Sequence, residues 1–308
     1  MAGINQGTPE TAVGEPIRLG SNNEFEIEQH PVSDRLIIRD TQNGKVAYVR
    51  KERGGEIGGD GVLIKALKES KPMADDGRTY DTIQEAERQA SSWVFVPPGT
   101  FNESVTINTD GLTLRGSGYN TEIVVNNGSV VDFSSSENVS ISDLSVDVTN
   151  PSNDVGAISG GPNGLIYNVT VKNGEEGFAP GDGSTIANCR VETCEGHGIF
   201  PANELIISNC IITSPSVGNT RSGIRADDDC IITNSIIVDS GTDGIQIGGS
   251  NTIVIGCRVI NSGADGIRFD ISTECICANN RISDSTGSDI QNDGTGTLLD
   301  ANLTGASN

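Results

Sequence analysis

The chain has 308 residues, of which 42 are Asp or Glu and only 20 are Lys or Arg, so its formal net charge is −22 at pH 7. Such an acidic surface repels nucleic-acid phosphates and anionic lipid headgroups, which argues against nucleic-acid binding and membrane insertion. No stretch approaches the roughly 18 apolar residues that a membrane-spanning helix needs, and the first residues lack the basic and apolar segments of a signal peptide.

Lysine is scarce among the basic residues, and an acidic, lysine-poor composition is typical of proteins that stay hydrated in molar salt. At ~1 M salt the Debye length is about 3 Å, so the mutual repulsion of the charges is screened. The composition therefore predicts a halophilic protein, with an ordinary acidic protein as the alternative.

The first 60 residues predict a small β-meander. Residues 24–28 alternate between polar and apolar, and two more strand patterns at 35–39 and 45–49 flank an Asn-Gly pair, which is a strong hairpin signal. A meander of this size is marginally stable alone, so we expect residues 1–60 to be an attachment or oligomerisation domain that ends in a Gly-rich linker.

Residues 61–92 are predicted to form a connector that ends in a capping helix. The helical pattern at 80–86 offers Thr82 and Glu85 as a capping box. The segment Trp-Val-Phe-Val-Pro-Pro-Gly-Thr-Phe at 93–101 and a strand pattern at 104–107 come next and open the repeat.

From Trp93 onward the sequence repeats, with successive Gly-Ile pairs separated by 21 to 25 residues. A period of this length without a helical pattern predicts a coil of three short strands joined by polar turns. Two columns mark the repeat. The first is Asn168, Asn188, Asn209, Asn234, Gly256 and Asn279, and the second is Gly177, Gly198, Gly223, Gly244, Gly266 and Asp289.

The two columns have physical explanations. Asparagine tolerates the left-handed backbone of a tight turn, and we expect the stacked amides to bond to one another in an inner ladder. The glycines fit positions that need a positive φ or a close approach of two backbones.

Seven cysteines also follow the repeat, so we interpret most of them as small buried hydrophobes and not as a disulfide framework or a zinc site. They are Cys189, Cys194, Cys210, Cys230, Cys257, Cys275 and Cys277.

The order of capping helix, Val-Phe-Val-Pro-Pro-Gly-Thr-Phe segment and repeat resembles the first coil of the pectate lyase superfamily, which includes pectin-degrading enzymes and viral tailspikes. The resemblance covers residues 79–304 and is specific for fold. It implies an all-β protein, with a right-handed parallel β-helix over 93–308, a short N-terminal capping helix and the small meander before it. With the acidic composition, it also implies a surface protein of a haloarchaeal virus, similar to a tailspike or turret protein.

One short element of the repeat is a candidate catalytic site. Gly196-His197-Gly198 resembles the Gly-His-Gly element of polygalacturonases, but the Asn-Thr-Asp and Arg-Ile-Lys-like elements of those enzymes are missing. We therefore interpret His197 as an exposed turn histidine and predict no catalytic residue, with His197 as the alternative. Asp227, Asp228 and Asp229 offer hard oxygen ligands to calcium, but in a chain this acidic we prefer to interpret them as a solvated acidic turn. No cofactor is predicted, with Ca²⁺ left as the alternative.

Two surface stripes are predicted. One is a polar stripe that is either a solvated strand face or a surface suited to sugar hydroxyls or carboxylates. It comprises Phe200, Arg225, Gln246, Arg268 and Gln291 with Asp243 and Asp265 beside it. The other is an apolar ridge, because adjacent apolar residues must place one side chain outside the coil. It comprises Ile206, Ile231, Ile253 and Ile276, and it predicts a homotrimer of parallel β-helices.

These features favour a virion surface protein, such as a spike, turret or tail fibre component, made in the host cytoplasm. Residues 1–60 would bind other virion proteins, and the β-helix would bind a host-surface glycan or glycoprotein. A polysaccharide lyase or glycoside hydrolase acting on acidic glycans is the first alternative, and a cellular surface or adhesion protein is the second.

Overall fold

The structure, a computed structural model, describes residues 70–151, 156–215 and 221–305, together with four strands among the first 50 residues. The chain divides into two compact units, Met1–Glu69 and Ser70–Asn308. Within the described ranges, no helix is long and apolar enough to cross a membrane.

The first unit contains a four-stranded antiparallel sheet in the order β1-β2-β3-β4. The bounds of its last three strands lie within one residue of those predicted for the meander. The first strand is an additional edge strand, which the alternation of polar and apolar residues did not reveal. The predicted linker lies outside the described residues. The four strands are β1 (Ile17–Leu19), β2 (Phe25–Gln29), β3 (Arg35–Asp40) and β4 (Val46–Arg50).

The second unit begins with a short strand and the predicted helix. Thr82 is the N-cap, and its hydroxyl accepts a hydrogen bond from the Glu85 backbone N–H at 3.0 Å. The first coil follows directly. The elements are β5 (Met73–Ala74), α1 (Ile83–Gln89), β6 (Trp93–Phe95), β7 (Gly99–Phe101) and β8 (Val105–Thr106).

The coils that follow repeat three strand positions, which we call rows A, B and C in chain order. Rows A and B meet at a two-residue corner, and β12 and β14 run through that corner without a break. The strands are β9 (Thr113–Arg115), β10 (Thr121–Val125), β11 (Val131–Phe133), β12 (Ser140–Val148), β13 (Gly156–Gly160), β14 (Leu165–Lys172), β15 (Glu176–Ala179), β16 (Thr185–Ala187), β17 (Arg190–Cys194), β18 (Ile206–Ser208), β19 (Ile211–Pro215), β20 (Ile224–Ala226), β21 (Ile231–Thr233), β22 (Ile236–Val238), β23 (Ile245–Ile247), β24 (Ile253–Ile255), β25 (Arg258–Ile260), β26 (Ile267–Phe269), β27 (Ile276–Ala278), β28 (Arg281–Ser283), β29 (Ile290–Asn292), β30 (Leu298–Asp300) and β31 (Leu303–Thr304).

Each row is a ladder of parallel strands in strict register. In row A, for example, Ile206 pairs with Ile231, and Ile231 pairs with Ile253. The result is a parallel β-solenoid of about nine turns with very little helix, which confirms the predicted fold class. Since every strand adds one rung, equivalent residues of successive coils lie about 4.8 Å apart.

The core is a stack of inward side chains, one thin layer per coil. In β20, Ile224 and Ala226 are buried while Arg225 between them is half-buried, as strand alternation requires. The same pattern recurs in β23 and β26, so the outward side chains of row C form a continuous column.

The asparagine column lies at the corner between rows A and B. Its five asparagines have φ between +49° and +55°, as expected for left-handed turns. The predicted inner amide ladder is wrong for this column, because the asparagines are exposed. The residue after each one points inward instead. These residues are Val169, Cys189, Cys210, Ser235 and Asn280, and all of them are buried.

The glycine column is explained by close approach, because none of its five glycines has a positive φ. A Cβ on Gly244 would lie 2.2 Å from Val259 Cγ1 and 2.6 Å from the Gly266 carbonyl oxygen. Only glycine therefore allows row C to begin this close to the neighbouring row.

All seven cysteines are buried and none is in a disulfide, which confirms their prediction as small buried residues. Burial raises the pKa of the Cys257 thiol to about 11 and that of the Cys277 thiol to about 12. These thiols are protonated and unreactive at neutral pH.

Candidate functional site

The polar stripe predicted from the sequence is the outward column of row C. The ladder brings its members into register, with Arg225 opposite Gln246, Gln246 opposite Arg268, and Arg268 opposite Gln291. Phe200 lies one coil before Arg225, because Ile199 bridges Ile224. We call this column of five side chains the row C column.

One end of the row C column is a closed network of charges. Arg268 Nε donates to Asp270 Oδ1 at 2.7 Å, and the two Nη atoms lie 3.7 Å from Asp265 Oδ2 and 3.6 Å from Asp293 Oδ2. Gln246 Nε2 donates to the other oxygen of Asp270 at 2.9 Å. The guanidinium of Arg268 is therefore already compensated by carboxylates.

Asp270 and Asp293 were missed by the sequence analysis. They lie two residues after Arg268 and Gln291, and Asp227 occupies the equivalent place after Arg225. Aligning the coils at this position would have revealed an acidic column beside the stripe.

Arg225 differs from Arg268 in having no counterion within the part of the chain that the structure describes. Among the described residues it has no hydrogen-bond or ion-pair partner, and its buried Nε is unsatisfied. Arg225 and Asp227 both lie near Gly248. A Cβ added to Gly248 would lie 3.9 Å from Arg225 Nη2 and 3.0 Å from Asp227 Oδ1, but the two side chains do not form an ion pair. A guanidinium in this state is suited to a carboxylate or hydroxyl ligand.

Asp243 and Asp265 line the inner edge of the row C column, where both are buried. Asp243 Oδ1 accepts from the Asp265 backbone N–H at 2.9 Å, and Asp265 Oδ1 accepts from the Ser288 N–H at 2.7 Å. One oxygen of each carboxylate thus holds the next coil in place. Burial raises the pKa of Asp243 above its ordinary value, with the nearby Asp265 charge as a smaller cause.

His197 occupies the same inner position two coils before Asp243. The expectation of an exposed turn histidine is wrong, because His197 is only 2% exposed. It stacks beneath the next coil, where its Nδ1 contacts the Ser222 backbone, and its own N–H donates to the Glu176 carboxylate. Burial lowers its pKa to about 4, with the charges of Arg221 and Arg225 as smaller causes, so the ring is neutral at pH 7.

Phe200 completes the site as its aromatic member. Its ring is 37% exposed and meets the His197 ring edge to face, with the centroids 5.9 Å apart. His197 Nε2 is buried and has no hydrogen-bond partner in the described part of the chain. Phe200, His197 and Arg225 therefore bring an apolar face and two unsatisfied polar groups to one end of the column.

The aspartate run 227–229 lies at the turn after β20. Asp228 accepts a hydrogen bond from the Ser250 N–H at 2.6 Å, and Asp229 has a left-handed φ of +57°. Within residues 70–151, 156–215 and 221–305, no group of three or more His, Cys, Asp or Glu side chains is arranged to hold a metal ion. The run has a structural explanation as a turn.

The predicted ridge lies on row A, on a different row from the polar stripe. Ile206 and Ile231 are 45% and 38% exposed, and Ile253 and Ile276 are half-buried. Their neighbours Ile207, Ile232, Val254 and Cys277 are fully buried, so the outward direction of the ridge is as predicted.

The sequence matches no protein-family model and no curated protein. The structure is similar to the A-module of the mannuronan C-5 epimerase AlgE4 from Azotobacter vinelandii, with a TM-score of 0.62 and 19% identity over 71% of each chain. It is also similar to a PL6 alginate lyase solved with a trisaccharide, with a TM-score of 0.53 and 14% identity over 66% of this chain and 57% of that one. At these identities the likeness shows a shared fold, which bears out the resemblance to a pectate-lyase-like parallel β-helix.

Proposed function

We propose that this protein binds an acidic polysaccharide along the row C column, with a sugar carboxylate on Arg225 and a sugar ring against Phe200. The observation that carries the proposal is the contrast between two arginines of one column. Arg268 is compensated by three carboxylates, whereas Arg225 has no partner among the described residues.

The surroundings of Arg225 support a sugar ligand. Phe200 offers an exposed apolar face one rung away. Gln246 lies one rung in the other direction, where its amide is held by hydrogen bonds to Ser222 and Asp270. Rungs spaced at about 4.8 Å approach the spacing of successive sugar rings, so an extended glycan can follow the column. The similar epimerase and lyase are carbohydrate-acting proteins, as their names state, which is consistent with this choice of ligand.

The test is calorimetric titration of the full chain with uronate oligosaccharides and with neutral oligosaccharides of equal length. Replacing Arg225 with Ala should weaken uronate binding roughly tenfold to a hundredfold, because a charged hydrogen-bonded contact is worth about 1.5–3 kcal/mol. The matched control is Arg190→Ala on row B, where the arginine is ion-paired with Glu192 at 2.5 Å. Unchanged affinity in Arg225→Ala, or equal binding of neutral and acidic sugars, would refute the proposal.

We further propose that this binding serves attachment. In this proposal the protein is displayed on a virion surface, the first unit joins it to other virion proteins, and the β-helix contacts host glycans. The division into a small antiparallel sheet and a β-helix suits that separation of roles. Labelled full-length protein should bind host cells, and soluble uronate oligosaccharides should compete. Cell binding that survives both competition and Arg225→Ala would argue against attachment through the row C column.

Processing of the bound glycan is a second candidate, favoured by Asp243. A buried carboxyl with a raised pKa keeps its proton to higher pH and is suited to act as a general acid. If the protein cleaves its ligand, new reducing or unsaturated ends should accumulate and Asp243→Asn should abolish them. Binding without product formation over many hours would leave attachment as the function.

A further inference from the structure

Rows A and B together form a surface that differs in composition from the rest of this acidic chain. Between Ile206 and Ser283, sixteen outward side chains of their strands are described, and none of these is acidic. Nine are Ile or Val, two are Arg, and the others are Ser, Thr or Ala. They are Ile206, Ser208, Ile211, Thr213, Ile231, Thr233, Ile236, Val238, Ile253, Ile255, Arg258, Ile260, Ile276, Ala278, Arg281 and Ser283. We call this surface the A–B face.

The two arginines of the A–B face are stacked directly on each other. Arg258 pairs with Arg281 in the ladder, so the backbones of two residues of like charge lie about 4.8 Å apart. Both are exposed, and neither has a hydrogen-bond or ion-pair partner within the described ranges. Like charges in adjacent positions repel each other. Carboxylates that approach from outside the face would reduce the repulsion between the two arginines.

The edges of the face carry carboxylates. Asp239 and Asp284 occupy the left-handed turns that end row B, and both are exposed. Asp239 Oδ1 accepts a hydrogen bond from Asn261 Nδ2 at 2.7 Å, and neither aspartate is paired with an arginine of its own chain among the described residues. A second copy therefore offers the charges that the two arginines lack.

The spacing of the side chains on the A–B face also favours a second copy of this chain as the partner. The isoleucines recur once per coil, at about 4.8 Å, over at least four successive rungs. A surface with this period interdigitates best with another surface of the same period, as in the packed sheets of steric zippers. The patch is roughly 20 Å by 20 Å, within the few hundred Å² at which exposed apolar patches mark interfaces.

We propose that the A–B face is where a second copy of this chain docks. The isoleucines of the two copies pack rung against rung, and Arg258 and Arg281 of one copy meet the edge carboxylates of the other. This contact is separate from the row C column, so glycan binding and self-association can be lost independently.

The first experiment is the mass of the full chain in solution, measured by light scattering at ~1 M salt, where repulsion between copies is screened. We expect a multiple of the chain mass that falls to one chain in Ile231→Asp. The matched control is Thr113→Asp, which puts the same charge at the same outward position of row A in an early coil. A single-chain mass for the unaltered protein would overturn the proposal.

The second experiment does not depend on a disruptive substitution. All seven natural cysteines are buried, so Ile231→Cys adds an accessible thiol. A short bismaleimide should join two copies of the Ile231→Cys variant but not two copies of a Thr113→Cys variant. Failure to crosslink the Ile231→Cys variant would overturn the proposal. This holds if the thiol is unreactive because the first unit covers the face, and equally if the thiol reacts but the protein has the mass of a single chain.

Discussion

The residue type that suits each position of this fold depends on the backbone conformation there and on the side chains of the adjacent coil. Asn279 and Asn280 are adjacent and chemically identical, yet their environments are opposite. Asn279 is exposed with φ of +55°, whereas Asn280 is 1% exposed and its side chain spans two coils. Asn280 Oδ1 accepts from the Cys257 N–H at 2.8 Å, and its Nδ2 donates to the Val254 carbonyl at 2.9 Å.

Substitution of these two asparagines should therefore give very different losses of stability. Asn279→Gly should change the free energy of unfolding by less than about 1 kcal/mol, because glycine adopts positive φ without strain, as Gly256 does in the same column. Asn280→Ala should cost about 2–4 kcal/mol, because it leaves the buried Cys257 N–H without its side-chain acceptor and removes the hydrogen bond to the Val254 carbonyl. Urea denaturation of the two variants measures both values, and equal losses would contradict the assignment of the inner position.

His197 should make the protein less stable as the pH falls. Its pKa of about 4 in the folded state lies below the ordinary value of 6.5, so the unfolded state binds the proton more readily. The free energy of unfolding should decline between pH 6.5 and about 4, by at most about 3 kcal/mol from this group. His197→Asn should be less stable at pH 7 but should show a flatter pH profile.

Asp243 provides the control for that profile, because its titration changes the free energy of unfolding in the opposite direction. Its pKa is raised by burial, so its protonated form is stabilising at low pH, and that contribution is lost as the pH rises through the raised pKa. Asp243→Asn should leave the loss between pH 6.5 and 4 intact. A His197→Asn variant with an unchanged profile in this window would contradict the buried, neutral histidine.

At the scale of elements, the entry helix is held at its start by the first coil. The Glu103 carboxylate accepts from the N–H groups of Ile83 and Gln84 at 2.9 and 3.0 Å, and Thr82 caps Glu85. Two different side chains thus satisfy the free donors of the first turn. The helix and the first coil are therefore expected to form and be lost together.

Removing the Glu103 carboxylate should destabilise this junction. Glu103→Ala should cost about 1–2 kcal/mol, because two backbone donors at the helix start lose a charged acceptor. Thr82→Ala should cost about 1 kcal/mol. The exposed Glu137 offers the control, since Glu137→Ala removes the same charge without touching the helix. Denaturant unfolding of the three variants tests this, and a Glu103→Ala loss no larger than that of Glu137→Ala would contradict it.

At the scale of the whole molecule, the net charge of −22 opposes any acidic ligand at long range. The Debye length falls from about 30 Å at 0.01 M salt to about 3 Å at 1 M, so added salt removes the repulsion before it weakens a direct contact at Arg225. The association rate of a uronate oligosaccharide should therefore rise with salt, opposite to the behaviour of basic proteins that bind polyanions.

Stopped-flow or surface-based kinetics across this salt range measures the effect. A neutral oligosaccharide of equal length controls for changes in the protein itself. An association rate that falls with salt would mean that the local field at the row C column is positive enough to outweigh the overall charge.

The sequence by itself determined the repeat, the three strand rows, the N-cap at Thr82, and the outward direction of both surface stripes. These follow from local rules, namely strand alternation, left-handed turns and helix capping, which need only the residue and its near neighbours in the chain. Only the tertiary structure decided that His197 is buried, that Arg268 is compensated by carboxylates while Arg225 has no partner among the described residues, and that Asn280, not Asn279, points into the core. The aligned columns already place the neighbouring residues about 4.8 Å apart, but the atoms that each side chain reaches and the depth of its burial depend on packing in three dimensions, which sequence spacing does not give.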